Sequence, residues 1–238
     1  MTQLAKQNKE WLVGENLKEQ ISQALPKGIE ADRFMRCLFT QVQKVPKLMS
    51  CKRESLFSAI ITCGQLGIEP DGRRAHMIPY GDNCTLILDY KGLVELVLRN
   101  PDIVGIHADI VREGDDFVYD KGVVVKHESG WGNSGKILGA YAMVTFRNGF
   151  QKAERMSFDE IEAIRNKSQG KNSSPWKEHW GEMAKKTVFR RLCKWLPLST
   201  EVKIGLDKDD EQYQAPKAPS IFEEVETVES TVIEAEEV

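Results

Sequence analysis

No apolar run in the 238-residue chain reaches the roughly 18 residues that a membrane-crossing helix needs. The opening residues, MTQLAKQNKEW, lack the apolar core of a secretory signal. Cysteine is sparse and scattered: Cys37, Cys51, Cys63, Cys84 and Cys193 are odd in number and include no Cys-x-x-Cys pair. That pattern excludes a secreted disulfide framework and fits reduced thiols in a cytoplasm, with Cys37 and Cys63 packing as small hydrophobes. The four histidines, His76, His107, His127 and His179, lie far apart and form no H-E-x-x-H pair, so each reads as a surface or packed residue. No G-x-x-x-x-G-K-[ST] is present, no G-x-G-x-x-G opens a helix after a strand, and no G-x-S-x-G elbow occurs. A P-loop ATPase, a dinucleotide fold and an α/β-hydrolase site are thereby disfavoured.

Net charge is also small, −3, which at first disfavours a nucleic-acid partner. The sum hides two opposed parts. Residues 207–238 hold eleven acids and two lysines, or −9, which leaves −3 + 9 = +6 on residues 1–206. The expected organisation is a moderately basic body over 1–206 and an acidic, disordered tail over 207–238.

Along the body, apolar residues first recur at helical spacing. Leu17, Ile21, Ala24 and Leu25 precede Pro26; Phe34, Leu38, Val42 and Val45 precede Pro46; Leu56, Ile60, Cys63 and Gly64 precede Gly67. Ser50 is placed to cap the third of these helices and Gly67 to end it. Residues 74–80 and 84–90 read as a hairpin around Gly81-Asp82-Asn83, residues 91–99 as a short amphipathic helix, and 103–112, 122–127, 138–147 and 150–156 as strands. Ser157-Phe158-Asp159-Glu160 has the pattern of a capping box. Ser174 and Pro175 then open a long helix to about Leu196, before Pro197. Helices, then strands, then helices predict an α+β fold with an antiparallel sheet packed with helices.

Two constellations could carry chemistry. Glu113, Asp115 and Asp116 could contribute to a Mg²⁺ site of a nuclease. They lie in one turn, REGDD, and a solvated turn is the preferred reading. Residues 183–196 (MAKKTVFRRLCKWL) contain Lys185, Lys186, Arg190, Arg191 and Lys194 with no acid. At 100° per residue, Ala184, Val188, Phe189, Leu192, Trp195 and Leu196 share one face, and Lys186, Arg190 and Lys194 the other. Those three cations would stand in a row about 6 Å apart, suited to successive phosphates. Arg191 falls at the border. Lys185 falls inside the apolar stripe, so it either snorkels out or faces an anion. A solvated basic face on a core helix would explain the pattern too, though such faces usually mix signs. The preceding loop adds Arg165, Lys167 and Lys171 among Ser168, Asn172, Ser173, Ser174 and Trp176; the end of the hairpin adds Tyr90-Lys91-Gly92 and Arg99. Cations, hydroxyls and an aromatic in this combination suit a groove that grips a nucleic-acid backbone without reading sequence.

The segments KVPKL (44–48), AIITCGQLGIEPDG (59–72), AHMIPYG (75–81), LDYKGLVELVLR (88–99), VREGDDF (111–117) and SPWKEHWGEMAKKTVFRRLCKWLP (174–197) stand in the order and spacing of the RecT family. The chain resembles this family of phage and prophage single-strand annealing proteins over about residues 10–200. Lys91 stands where some relatives carry Arg, the turn at 80–84 is short, and the tail matches little beyond its acidity. The resemblance implies an annealing protein that uses no ATP, carries out no covalent catalysis and promotes limited strand exchange in homologous recombination. It implies rings or filaments on single-stranded DNA and annealed duplex, a partner 5′→3′ exonuclease, and no required cofactor, with Mg²⁺ modulating DNA binding. The tail is expected either to screen the groove from non-specific DNA, to dock a host single-strand-binding protein or the exonuclease, or only to solvate the chain. Carried onto this sequence, the DNA contacts fall on Tyr90, Lys91, Gly92, Arg99, Arg165, Ser168, Trp176, Lys185, Lys186, Arg190, Arg191 and Lys194. A Lys186→Glu, Arg190→Glu pair is then expected to abolish annealing without unfolding the chain. A structural DNA-binding module that does not anneal, and less favourably the Mg²⁺-dependent nuclease, are the competing classes.

Overall fold

The computed structural model describes residues 3–168, 171, 172, 174–200, 202, 203 and 206. The acidic segment 207–238, Ser173 and the Ser174 side chain lie outside the described residues. Helices α1 (Gln3–Leu12), α2 (Glu15–Ala24), α3 (Ala31–Lys44) and α4 (Arg53–Leu66) come first, with a 3₁₀ turn at Pro46–Ser50. Ser50 ends that turn and does not cap α4, whose N-cap position is Lys52. Gly67 ends α4 with φ +60, and its N–H reaches the Cys63 and Gly64 carbonyls.

The hairpin β1 (Ala75–Tyr80) and β2 (Asn83–Leu88) packs on α4 and leads into α5 (Tyr90–Leu98). Its turn is the pair Gly81-Asp82, since Tyr80 and Asn83 face each other across the ladder. Strands β3 (Ile103–Arg112), β6 (Ile137–Phe146) and β7 (Gln151–Ser157) form an antiparallel sheet in the order β3-β6-β7. Between β3 and β6 a second hairpin, β4 (Asp116–Asp120) and β5 (Val123–Glu128), is inserted. After the sheet come α6 (Phe158–Lys167), α7 (Ser174–Glu178) and α8 (Trp180–Cys193). The α+β expectation holds. The capping box also forms: Glu160 N–H donates to Ser157 Oγ, and Ser157 N–H to the Glu160 carboxylate. The single long helix expected from Ser174 is instead broken at His179, with φ −132 and ψ 46.

Both faces of the three-stranded sheet are covered. Ala140, Ala142, Val144 and Met156 face α8 and belong to the main core with Val188 and Leu192. On the opposite face Tyr141 meets Phe117 and His127 of the β4–β5 hairpin at ring distances of 5.4 and 5.3 Å. α8 itself touches β3, β6 and β7 on one side and α5 and α6 on others, so apolar or protein contact surrounds most of its circumference.

Burial sets the chemistry of the thiols. Desolvation pushes Cys84 and Cys193 up to about 12 and raises Cys63 as well, all from an ordinary value near 9. In the unfolded chain these thiols release protons first as pH rises. Their contribution to stability is therefore complete below about pH 9 and is lost as pH climbs toward 12, by up to ~1.4 kcal/mol per pH unit for each thiol. Urea midpoints should fall between pH 9 and 11 under reducing conditions, and a Cys84→Ala, Cys193→Ala protein should show a visibly shallower fall.

Candidate nucleic-acid interface

Asp89 caps α5 by accepting the Lys91 backbone N–H, at 3.2 Å, which fixes Tyr90 and Lys91 on the first turn of the helix. Tyr90 is exposed and the Lys91 ammonium lies 5.9 Å from its ring centroid. Across from them, α8 presents Glu182, Lys185, Lys186 and Phe189. Together with Val94 of α5 and Ile106 and Ala108 of the edge strand β3, these residues line a groove of about 190 Å³. Its floor is apolar and its rim polar. Lys185 does snorkel: its ammonium pairs with Glu182 at 2.6 Å while its stem lies along the groove. Lys186 acts on Asp89. Burial would raise that carboxyl, but the His76 bond, the Lys91 N–H and the Lys186 charge together hold it below the usual carboxylate range. Among the residues lining the groove, Lys185 and Lys186 against Glu182 give 2 − 1 = +1, less than the sequence of cations alone implied.

The remaining expected contacts do not gather there. Gly92 is buried, and a Cβ on it would collide with the Arg74 carbonyl oxygen, so its role is close packing of α5 on the β1 end of the hairpin. Arg99 caps α4: its guanidinium donates to the carbonyls of Leu66 and Gly67 and to Glu95. Arg165 donates to Glu162 and to the Lys171 carbonyl, and lies 5.7 Å over Trp176. Trp176 is 2% exposed and is a core residue, not a platform for bases. Ser168 is buried at the end of α6. Arg191 pairs with Glu160 at 3.1 Å and approaches Glu154 at 3.6 Å, tying α8 to α6 and β7. Arg190, expected on the solvent side beside Lys186 and Lys194, is buried at 7% exposure. The reason is the packing of α8: a wheel with one apolar face assumes one neighbour, and α8 has neighbours on several sides. The row Lys186, Arg190, Lys194 is thus not a solvent-facing ladder, and Trp195, placed on the apolar face, is exposed instead.

The RecT family model matches residues 32–229. The chain belongs to the RecT family. It is 36% identical to Protein RecT of Escherichia coli K12 over 209 residues, 83% of this chain and 78% of that protein. It is 25% identical to the uncharacterized protein YqaK of Bacillus subtilis 168 over 190 residues, 77% of this chain and 66% of that one. The RecT match runs past residue 200, so it takes in most of the acidic segment as well as the body. RecT membership carries single-strand DNA annealing in recombination, and with it the binding of single-stranded DNA.

Two features of this RecT chain were not visible in the sequence. One is the apolar floor of Val94, Ile106, Ala108 and Phe189, drawn from three elements; the alternation of Ile106, Ala108 and Ile110 in a strand was the available signal. The other is Arg74, which bridges Glu69 at 2.6 Å, Asp71 at 2.9 Å and Glu95 at 3.0 Å and clamps α5 to the hairpin. The acidic turn is structural. Asp115 accepts from the Arg112 N–H at 2.6 Å and Asn133 at 2.7 Å, and meets His127 at 3.3 Å. Burial opposes its charge, but these bonds outweigh it and hold the carboxyl low. Among the described residues, no three His, Cys, Asp or Glu side chains converge as metal ligands. None of the described helices is long and apolar enough to cross a membrane.

Proposed function

We propose that the groove between α5, β3 and α8 holds the backbone of single-stranded DNA and that annealing on it needs no ATP. The observation that carries this reading is the meeting of Tyr90 with Lys185 and Lys186, nearly a hundred positions apart in the chain, across one apolar floor, with the Lys91 ammonium near the Tyr90 ring. Ammonium groups neutralise phosphates, the floor and Tyr90 accept sugar or base faces, and pairing edges stay free for a complement. Two bare strands repel; neutralising both lowers the barrier, and base pairing supplies the net free energy. With a local charge of only about +1, one groove grips few phosphates. Subunits side by side, in a ring or filament, multiply the contacts. Limited strand exchange follows from the same grip. Mg²⁺ screens phosphates and so modulates binding without being required. A 5′→3′ exonuclease supplies the single strands, and the acidic segment 207–238 is a docking element for it or for a single-strand-binding protein.

The deciding experiment incubates the purified chain with labelled complementary strands, with and without Mg²⁺ and ATP. Annealing with neither is the expected result. Strand shortening would mark the nuclease, and binding alone the non-annealing module. Affinity should fall with salt by about 0.7 in log K per log unit for each phosphate contact, and a flat response would remove the groove.

A further inference from the structure

Beyond the C-terminal end of α8, Trp195 is held in a turn by its N–H bond to the Leu192 carbonyl and exposes 68% of its surface. One face of the indole carries the Lys152 ammonium, 5.5 Å from the ring centroid. Lys152 belongs to β7, on the α8 side of the sheet. The turn of the inserted hairpin lies against Lys152. The β4–β5 hairpin closes with the two-residue turn Lys121-Gly122, between the paired Asp120 and Val123. Both turn residues have positive φ, +43 and +85, and Lys121 is the one non-glycine in that region among the described residues. Such a turn favours Asn at its first position, so a lysine there is held against local preference. The turn is pinned to β7 by the Ala153 N–H bond to the Gly122 carbonyl, and a Cβ on Gly122 would stand 3.3 Å from the Lys152 ammonium. Lys194, next to Trp195, is exposed. Glu154 on the same strand as Lys152 lies 3.6 Å from Arg191.

We propose that Trp195, with Lys152 against one face, is a second single-strand nucleic-acid contact, a base stacking on the open face of the indole while the Lys152 ammonium meets its phosphate. Stacking on an exposed aromatic flanked by cations is how sequence-independent single-strand binders hold bases. The site is separate from the groove. Neither Trp195 nor Lys152 lines the groove, and the seven residues of α8 from Lys186 to its end at Cys193 already span about 10 Å, with Trp195 beyond them. The proposal rests on the annealing reading in supposing that single strands are the ligand. It gives the chain a contact for a strand other than the one in the groove.

The test is fluorescence and anisotropy titration of the full chain with an oligothymidylate and with an abasic oligonucleotide of equal length. Trp195→Ala should weaken oligothymidylate binding about 5- to 100-fold with the salt slope unchanged, and should leave abasic binding as it was. Trp195→Phe should keep most of the affinity while losing part of the tryptophan quenching, and it serves if the alanine variant melts early. Lys152→Gln should lower the salt slope by about 0.7. Equal binding by Trp195→Ala and the parent overturns the proposal, whatever a Lys185, Lys186 variant does. Loss in Trp195→Ala alongside normal binding by that groove variant would uphold the platform and overturn the groove. If DNA leaves Trp195 untouched but removing residues 207–238 changes its emission, the occupant is the acidic segment and the proposal fails.

Discussion

Reversing Lys185 and Lys186 together to glutamate is expected to abolish annealing and leave the fold intact. The balance of the groove-lining residues goes from +1 to 0 − 3 = −3, so the surface proposed to neutralise phosphate would repel it. Single-strand affinity at about 0.1 M salt should drop at least 100-fold, and a neutral Lys185→Gln, Lys186→Gln protein should lose about 1.4 from the salt slope. Folding should survive, because the Lys185 side chain is partly exposed and its pair with Glu182 is a local surface contact of small worth. Thermal melting within a few degrees of the parent checks that half. A folded double variant that anneals normally would dispose of the groove. The alternative pair from the helical wheel, Lys186→Glu with Arg190→Glu, is no substitute. Arg190 is buried, and reversing a buried charge costs about 3–5 kcal/mol, so that protein would fail by unfolding.

The second large effect is on stability. Trp176→Ala removes a side chain that is 2% exposed and packed in the main core beneath Arg165, and should cost about 3–5 kcal/mol. Urea denaturation would show the shift, with Trp176→Phe losing less than half as much. Affinity for DNA, corrected for the folded fraction in the cold, should be unchanged. Full stability with weakened DNA binding would instead return Trp176 to the interface.

Much of the fold was legible because its elements bury one face. α2, α3 and α4 repeat apolar residues at helical spacing, and β3, β5, β6 and β7 lie within two residues of the expected strands. α1 gives no clear pattern, because its buried face includes the polar Asn8, whose amide donates to the Met49 and Cys51 carbonyls at 2.9 Å. β4 gives none either: it begins inside the acidic turn and its pairing slips at Val118/Tyr119. The site was half legible. Tyr90, Lys185 and Lys186 line one groove with Lys91 beside Tyr90, but Gly92, Arg99, Trp176 and Arg190 do structural work. Arginine, tryptophan and glycine in a basic segment look alike whether they meet DNA or the protein's own carbonyls and core, since sequence reports residue type and not neighbours. The break at His179 and the several-sided packing of α8 are tertiary effects that no periodicity encodes.

For the groove proposed above, the clamp at Arg74 bears on affinity. Its carbonyl oxygen accepts the Asp89 N–H at 2.9 Å and blocks any side chain at Gly92, while its guanidinium holds Glu95 one turn further along α5. The wall that carries Tyr90 and Lys91 is therefore preorganised before any strand arrives. Little conformational entropy is lost from that wall on binding, so even a few phosphate contacts can translate into useful affinity. A looser α5 with the same charges would bind more weakly for that reason alone.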